Sequence, residues 1–188
     1  MKQVYAIDDL LAGCRQGERK AQEMLYHRLA SNMYSVCLRY ATSDFEAEDM
    51  LQSGFVKVFQ SINQFRGEGS LEGWIRRIIV NTAIEIYRRN ARKHQTVSID
   101  HVFDQEQQTF DMERLEVGDL MKLIQQLPDG YRMVFNMYAI EGYSHKEIAD
   151  ALDITEGASK SQLSRARAWL KNKLFMIERG DNYGTYAG

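Results

Sequence analysis

Proline occurs once in this chain of 188 residues, at Pro128, and cysteine twice, at Cys14 and Cys37. A single proline leaves long stretches unpunctuated, which favours helices over a loop-rich architecture. Two cysteines with no CxxC pair and no neighbouring histidine cluster exclude a disulfide scaffold and argue against a zinc site, so two reduced thiols of a cytoplasmic protein are expected. His27, His94, His101 and His145 have no metal-ligand spacing. No apolar run approaches membrane-spanning length and the N-terminus lacks a signal-peptide core, so the expectation is a cytoplasmic protein without membrane insertion. Strand alternation and internal repeats are also missing. Charge of one sign is not in excess: 24 Lys and Arg against 26 Asp and Glu leave a net charge of −2, which argues against a simple basic DNA-coating protein.

What is present is apolar periodicity and an uneven charge map. With 44% apolar residues the chain can bury a real core, as one large or two small domains. Residues 1–95 hold 14 basic and 11 acidic residues, residues 96–119 one Arg and seven acids, and residues 120–188 nine basic and eight acidic residues. Two near-neutral to basic blocks thus flank an acidic connector. The expected fold is all-α, with helical domains at 1–95 and 116–178, a linker at 96–115 and a flexible tail at 179–188.

Helical spacing predicts a first helix from Asp8, a second from about Lys20 to Tyr40, and a third opened by Ser43 with Glu46 in capping-box register. In the third, Ala47, Met50, Leu51, Phe55, Val58, Phe59 and Ile62 form an apolar stripe, and Glu48, Asp49, Gln52, Ser53 and Lys57 a polar one. Glycines mark a loop from Phe65 to Ser70, and a further helix follows from Leu71 to about Arg92. That helix carries Arg76, Arg77, Arg88, Arg89, Arg92 and Lys93 along or just beyond it, with Trp74 and Tyr87. Basic residues interleaved with aromatics suit single-stranded nucleic acid; they also suit a solvated face near a helix C-terminus. The pattern resumes at Leu120, Leu123, Ile124 and Leu127, and Pro128 opens a helix that Gly142 ends.

Residues 144–167, SHKEIADALDITEGASKSQLSRAR, are the most informative segment. Ser144 and Glu147 have capping-box spacing, and Ile148, Ala149 and Leu152 repeat at helical spacing. Asp153-Ile154-Thr155 breaks the helix, and Thr155 can cap the next, with Glu156 at the positive end of its dipole. At about 100° per residue, Ser159, Leu163, Ala166 and Leu170 share the side that must pack. Ser161, Arg165, Gly157 and Ala158 lie opposite, flanked by Lys160 and Gln162. Small residues at the helix start permit close approach to a duplex, Lys and Arg reach phosphates or guanine edges, and Gln suits adenine. The segment reads as a helix-turn-helix or as an ordinary amphipathic helix pair. Arg167, near the packed edge, suits an intramolecular ion pair as well as DNA.

Taken together, AEDMLQSGFVKVFQSINQFRGEGSLEGWIRRIIVNTAIEIYRR (Ala47–Arg89) and LPDGYRMVFNMYAIEGYSHKEIADALDITEGASKSQLSRARAWLKNKL (Leu127–Leu174) resemble the extracytoplasmic-function sigma factors of bacterial RNA polymerase. The resemblance implies two helical domains on a flexible linker, no catalytic activity and no cofactor or metal. The implied partners are core RNA polymerase, promoter DNA (duplex at −35, single-stranded at −10) and an anti-sigma factor. By the resemblance, Glu48, Asp49, Gln52 and Phe55 match the helix that docks on the polymerase clamp, although the stripe position of Phe55 suits the core better. Phe65, Arg66 and the glycine-rich loop match the element that captures a flipped −10 base, which needs hydrogen-bonding groups and a stacking surface. Asn81, with Arg76, Arg77 and Arg88, matches residues that hold the separated strand. Ser144, His145, Gly157, Ala158, Lys160, Ser161 and Arg165 match positions facing the −35 duplex.

The chain departs from the family at two places. Ser159 stands where a buried valine is usual, which implies weaker packing. Gln162 stands where an arginine is common, and glutamine cannot replace an arginine–guanine fork. The main alternative is a conventional dimeric helix-turn-helix regulator, which leaves the basic-aromatic helix unexplained. A DNA-acting enzyme needs a nucleophile with its base or a metal-holding carboxylate cluster. The densest acids, Glu46, Glu48 and Asp49, are better suited to capping and docking.

Overall fold

The structure is a computed structural model that describes residues 6–94 and 117–178. Among these, every regular element is helical: α1 (Ile7–Arg15), α2 (Arg19–Tyr40), α3 (Asp44–Ser61), a 3₁₀ turn (Ile62–Gln64), α4 (Leu71–His94), α5 (Val117–Gln125), α6 (Asp129–Phe135), a π-helical turn (Asn136–Ile140), α7 (His145–Leu152) and α8 (Glu156–Glu178). The all-α expectation holds. The chain divides into two compact units, residues 1–87 and 88–188. The linker and tail expected from the charge map lie outside the described residues.

In the first unit the periodic stripes become the core. Leu25, Leu29, Met33, Val36 and Cys37 of α2, Ala47, Met50, Leu51, Phe55 and Val58 of α3, and Ile75, Ile79 and Ala83 of α4 are all buried. Each such aliphatic side chain contributes roughly 1.5–3 kcal/mol of transfer free energy on burial. The start of α3 departs from a capping box. The Ser43 Oγ accepts from the Glu46 N–H at 3.2 Å, but the Glu46 carboxylate reaches past Ser43 to accept from the Thr42 N–H and hydroxyl, each at 2.7 Å. Two donors before the helix are still satisfied, one residue further back than the motif places them.

Both cysteines are buried free thiols. Desolvation pushes the Cys37 thiol up to about 12, and burial followed by the Glu18 carboxylate raises Cys14. The nucleophile is the thiolate, so neither cysteine reacts readily in the folded state. Iodoacetamide at pH 7.5 is expected to label neither until denaturant is added, with mass spectrometry as the readout; rapid native labelling of Cys37 contradicts this packing.

In the second unit Leu123 and Leu127 meet Ala166 and Leu170, with Tyr131, Phe135, Trp169, Leu174 and Ile177 packed around them. Leu120, at the same spacing, remains exposed. Sequence periodicity does not anticipate the π turn. Its register shift is visible where the Glu141 N–H donates to the Asn136 carbonyl at 3.0 Å, and it leaves Tyr138 and Ile140 outward.

Candidate nucleic-acid interface

The helix-turn-helix forms as its caps predict. The Ser144 Oγ accepts from the Glu147 N–H at 3.2 Å, and the Glu147 carboxylate accepts from the Ser144 N–H at 2.8 Å, a complete capping box. Asp153 ends α7 in the left-handed conformation, φ 60° and ψ 48°, a geometry that Asp tolerates better than most residues. The Thr155 Oγ1 then accepts from the Ala158 N–H at 3.1 Å, starting α8.

On α8, Ser159, Leu163, Ala166 and Leu170 are buried as their spacing requires. Gly157, Lys160, Ser161 and Arg165 are exposed and Ala158 is half-buried. A Cβ on Gly157 meets only the Thr155 Oγ1, at 3.8 Å, so packing within the protein does not demand a glycine there. Lys160 has the Glu156 carboxylate 3.9 Å away, a solvated pair of little energetic weight. Arg165 makes one long contact, 3.4 Å to the Tyr131 hydroxyl, and keeps the rest of its guanidinium available.

One α8 residue sits differently from its sequence expectation, and a second takes up a contact the sequence left open. Gln162 is turned toward α6, half-buried beside Gly130, with its Oε1 buried and unpaired. The absence of a Cβ at Gly130 opens the space, so the amide leaves the edge of the exposed face. Among the described residues Arg167 pairs with no acid; its Cζ lies 5.7 Å from the centroid of the Tyr138 ring. A cation over an aromatic face is a third arrangement beside the ion pair and the DNA contact that its position near the packed edge suits.

In the first unit the loop between the 3₁₀ turn and α4 is held at both ends. At its start, Arg15 donates through Nη2 to the Phe65 carbonyl at 2.6 Å, and the Phe65 ring is buried against Trp74 with centroids 5.6 Å apart. At its end, the Ser70 Oγ accepts from the Gly73 N–H at 3.0 Å. Gly67 (φ 79°) and Gly69 (φ 87°) take the left-handed conformation in between, where a side chain is strained. Burying the Phe65 ring on Trp74 rather than leaving it in water accounts for this placement. Arg66 is exposed.

The basic residues of α4 do not share one surface. Arg77 and Asn81 are exposed, and Arg76 and Arg88 are half-buried. Asn81 lines an open groove of about 390 Å³ with Lys57, Gln60, Ser61, Gln64 and Thr82. Arg76 lines another groove, of about 440 Å³, with Asn32, Arg39, Ser70 and Glu72. Sequence reading missed Gln60 and Gln64. Their polar spacing across the end of α3 and the 3₁₀ turn is the signal, but only the packing of these elements on α4 brings them beside Asn81.

The exposed face of α3 carries Glu48, Asp49 and Gln52, with Phe45 and Val56 at its two ends. Phe55 is not on it. Its ring meets Tyr26 edge-on, centroids 4.8 Å apart, and is buried. The apolar stripe claims Phe55 because the adjacent α2 supplies an aromatic partner.

Two helical modules, the second built on a complete helix-turn-helix, define a DNA-binding transcription protein. Residues 25–93 match sigma-70 region 2 and residues 118–170 match sigma-70 region 4. The ECF RNA polymerase sigma-E factors of Haemophilus influenzae and Escherichia coli K12 are each 27% identical to the chain, over 177 and 180 residues, covering 88% of it and 93% and 92% of their own lengths. The solved sigma factor RpoE of Bartonella quintana, in complex with the anti-sigma factor NepR, shares the fold: the TM-score is 0.50 at 21% identity, covering 81% of this chain and 96% of that one. The chain belongs to the extracytoplasmic-function sigma factors, transcription initiation factors of bacterial RNA polymerase.

Proposed function

We propose a division of labour in which each exposed face described above meets one partner. The α3 face of Glu48, Asp49 and Gln52 docks on core polymerase. A polar stripe ended by the apolar Phe45 and Val56 provides both desolvated anchors and a polar rim. The start of α8, with Gly157, Lys160, Ser161 and Arg165, enters the −35 major groove, and Ser144 and His145 at the start of α7 meet its backbone. Arg66, Arg77 and the Asn81 groove hold the melted −10 strand. Binding that strand better than the duplex shifts the closed-to-open equilibrium. An anti-sigma factor, the kind of partner bound to the solved Bartonella protein, occupies these surfaces when the factor is silent. The chain contributes no catalytic group of its own.

The observation that carries this reading is α8: four buried residues on one face oppose a small-residue, basic face that stays exposed among the described residues. Lys160→Ala with Arg165→Ala is expected to reduce −35-dependent transcription about 30-fold or more, since each such contact contributes about 1–3 kcal/mol. Co-purification with core polymerase should be unchanged. Survival of promoter-specific initiation in the pair overturns the placement of the −35 surface.

A further inference from the structure

We infer that Ser159 is a positioning residue that fixes which nitrogen of His145 faces outward, and so presents a single N–H donor at the −35 interface. This rests on the reading of α7 and α8 given above. The Ser159 Oγ lies 2.9 Å from the His145 Nδ1. Ser159 is completely buried, whereas His145 is half-exposed, so the ring turns its Nδ1 edge inward and leaves Nε2 at the outer edge.

The proton follows from satisfaction of the hydroxyl. A serine hydroxyl has one hydrogen to donate, and a buried donor without an acceptor is costly. Among the described residues the Ser159 hydroxyl has no other hydrogen-bond partner. Its hydrogen therefore goes to Nδ1. A neutral imidazole that accepts at Nδ1 carries its own proton on Nε2. If the imidazole is protonated, Nδ1–H donates to Oγ instead and Nε2–H still points outward. In both states the exposed edge is a donor, which suits a phosphate oxygen or a base acceptor.

Stacking restrains the ring's remaining freedom. Tyr138 stacks on His145 with centroids 4.5 Å apart and planes 22° from parallel, and Arg167 lies over Tyr138 in turn. The π turn contributes here by placing Tyr138 outward beside α7. Ser159, read from sequence as a packing defect, thus exchanges apolar contact for control of an interface side chain.

Two measurements test this on the full chain. In two-bond ¹H–¹⁵N spectra at a pH where His145 is neutral, Nε2 should carry the proton and Nδ1 should show the unprotonated shift. Ser159→Ala should move both shifts toward a mixture of tautomers, and Ser159→Thr, which keeps the hydroxyl, should restore the single form. A dominant Nδ1–H form in the unsubstituted protein overturns the inference even if Ser159→Ala fails to fold. The second measurement is affinity of the holoenzyme for a promoter duplex selected with it. Ser159→Ala should weaken binding about five- to tenfold, and adding it to His145→Ala should cost no more than about twofold further. A full additional loss in the double variant means Ser159 acts independently of His145 and overturns this inference alone. Unchanged binding by His145→Ala instead removes His145 from the −35 surface, overturning that part of the proposed function together with this inference.

Discussion

Arg132→Ala is expected to reduce the hydrogen-exchange protection of α5–α8 amides by about 100-fold or more, corresponding to ~3 kcal/mol. Arg132 is only 4% exposed and belongs to the core of the second unit. Its Nη1 donates to the carbonyls of Gln125 and Leu127 at 3.0 and 2.8 Å, and its Nη2 to the Asp129 carboxylate at 2.7 Å. The first two acceptors lie at the last residue of α5 and two residues beyond it, where carbonyls lose their helical partners. Pro128 follows directly, and proline has no N–H to offer. One guanidinium thus closes the α5–α6 corner. Alanine leaves buried acceptors unsatisfied and opens a cavity. A helical unit of roughly 60 residues has on the order of 3–9 kcal/mol of stability in total, so −35 binding should fall with it. Arg132→Lys keeps the charge but not the fork and should recover only part of the loss. Asp129→Ala, at an exposed partner, should cost far less. If Arg132→Ala changes protection by less than about fivefold, water replaces the guanidinium and the corner does not depend on it.

Gly54→Leu should destabilise the first unit by about 3 kcal/mol, read as a lowered urea midpoint of a Trp74-reported transition in a Trp169→Phe background. A Cβ built on Gly54 comes within 2.3 Å of the Ile79 Cδ1 and 3.6 Å of its Cα. Ile79 is fully buried, so that methyl group has no free space to enter. Helix propensity pulls the other way: Gly→Ala within a helix is worth about 1 kcal/mol in favour of Ala. Gly54→Ala should therefore be mildly destabilising, and Ile79→Val, which removes the clashing carbon, should convert it to neutral or stabilising. That coupling is the decisive readout. If Gly54→Leu is tolerated without loss, α3 and α4 are not held at this distance. The distance matters because the proposed docking face of Glu48, Asp49 and Gln52 and the Asn81 groove depend on these two helices.

Much of this protein was legible one segment at a time. The Ser144–Glu147 capping box, the break at Asp153 and the buried series Ser159, Leu163, Ala166, Leu170 all appear where periodicity and capping chemistry put them. Sequence was least decisive where one side chain could serve two roles. Phe55 and Phe65 both matched positions assigned to partners, yet both rings are buried, against Tyr26 and Trp74. Gln162 matched the recognition face but turned into the space left by Gly130. In each case the deciding neighbour lies on another helix or on the far side of a loop, beyond the reach of helical spacing.

The amino-acid order alone placed most of the described helices, the α7 capping box, the buried stripes and the family, because these depend on neighbours three or four residues apart and on contiguous motifs. Only the tertiary structure decided that Arg132 closes the α5–α6 corner, that Gly54 admits Ile79, and that Ser159 meets His145. Those outcomes depend on how closely distant segments approach, to within a single hydrogen bond or methyl group, and close packing resolves them only after the helices have met.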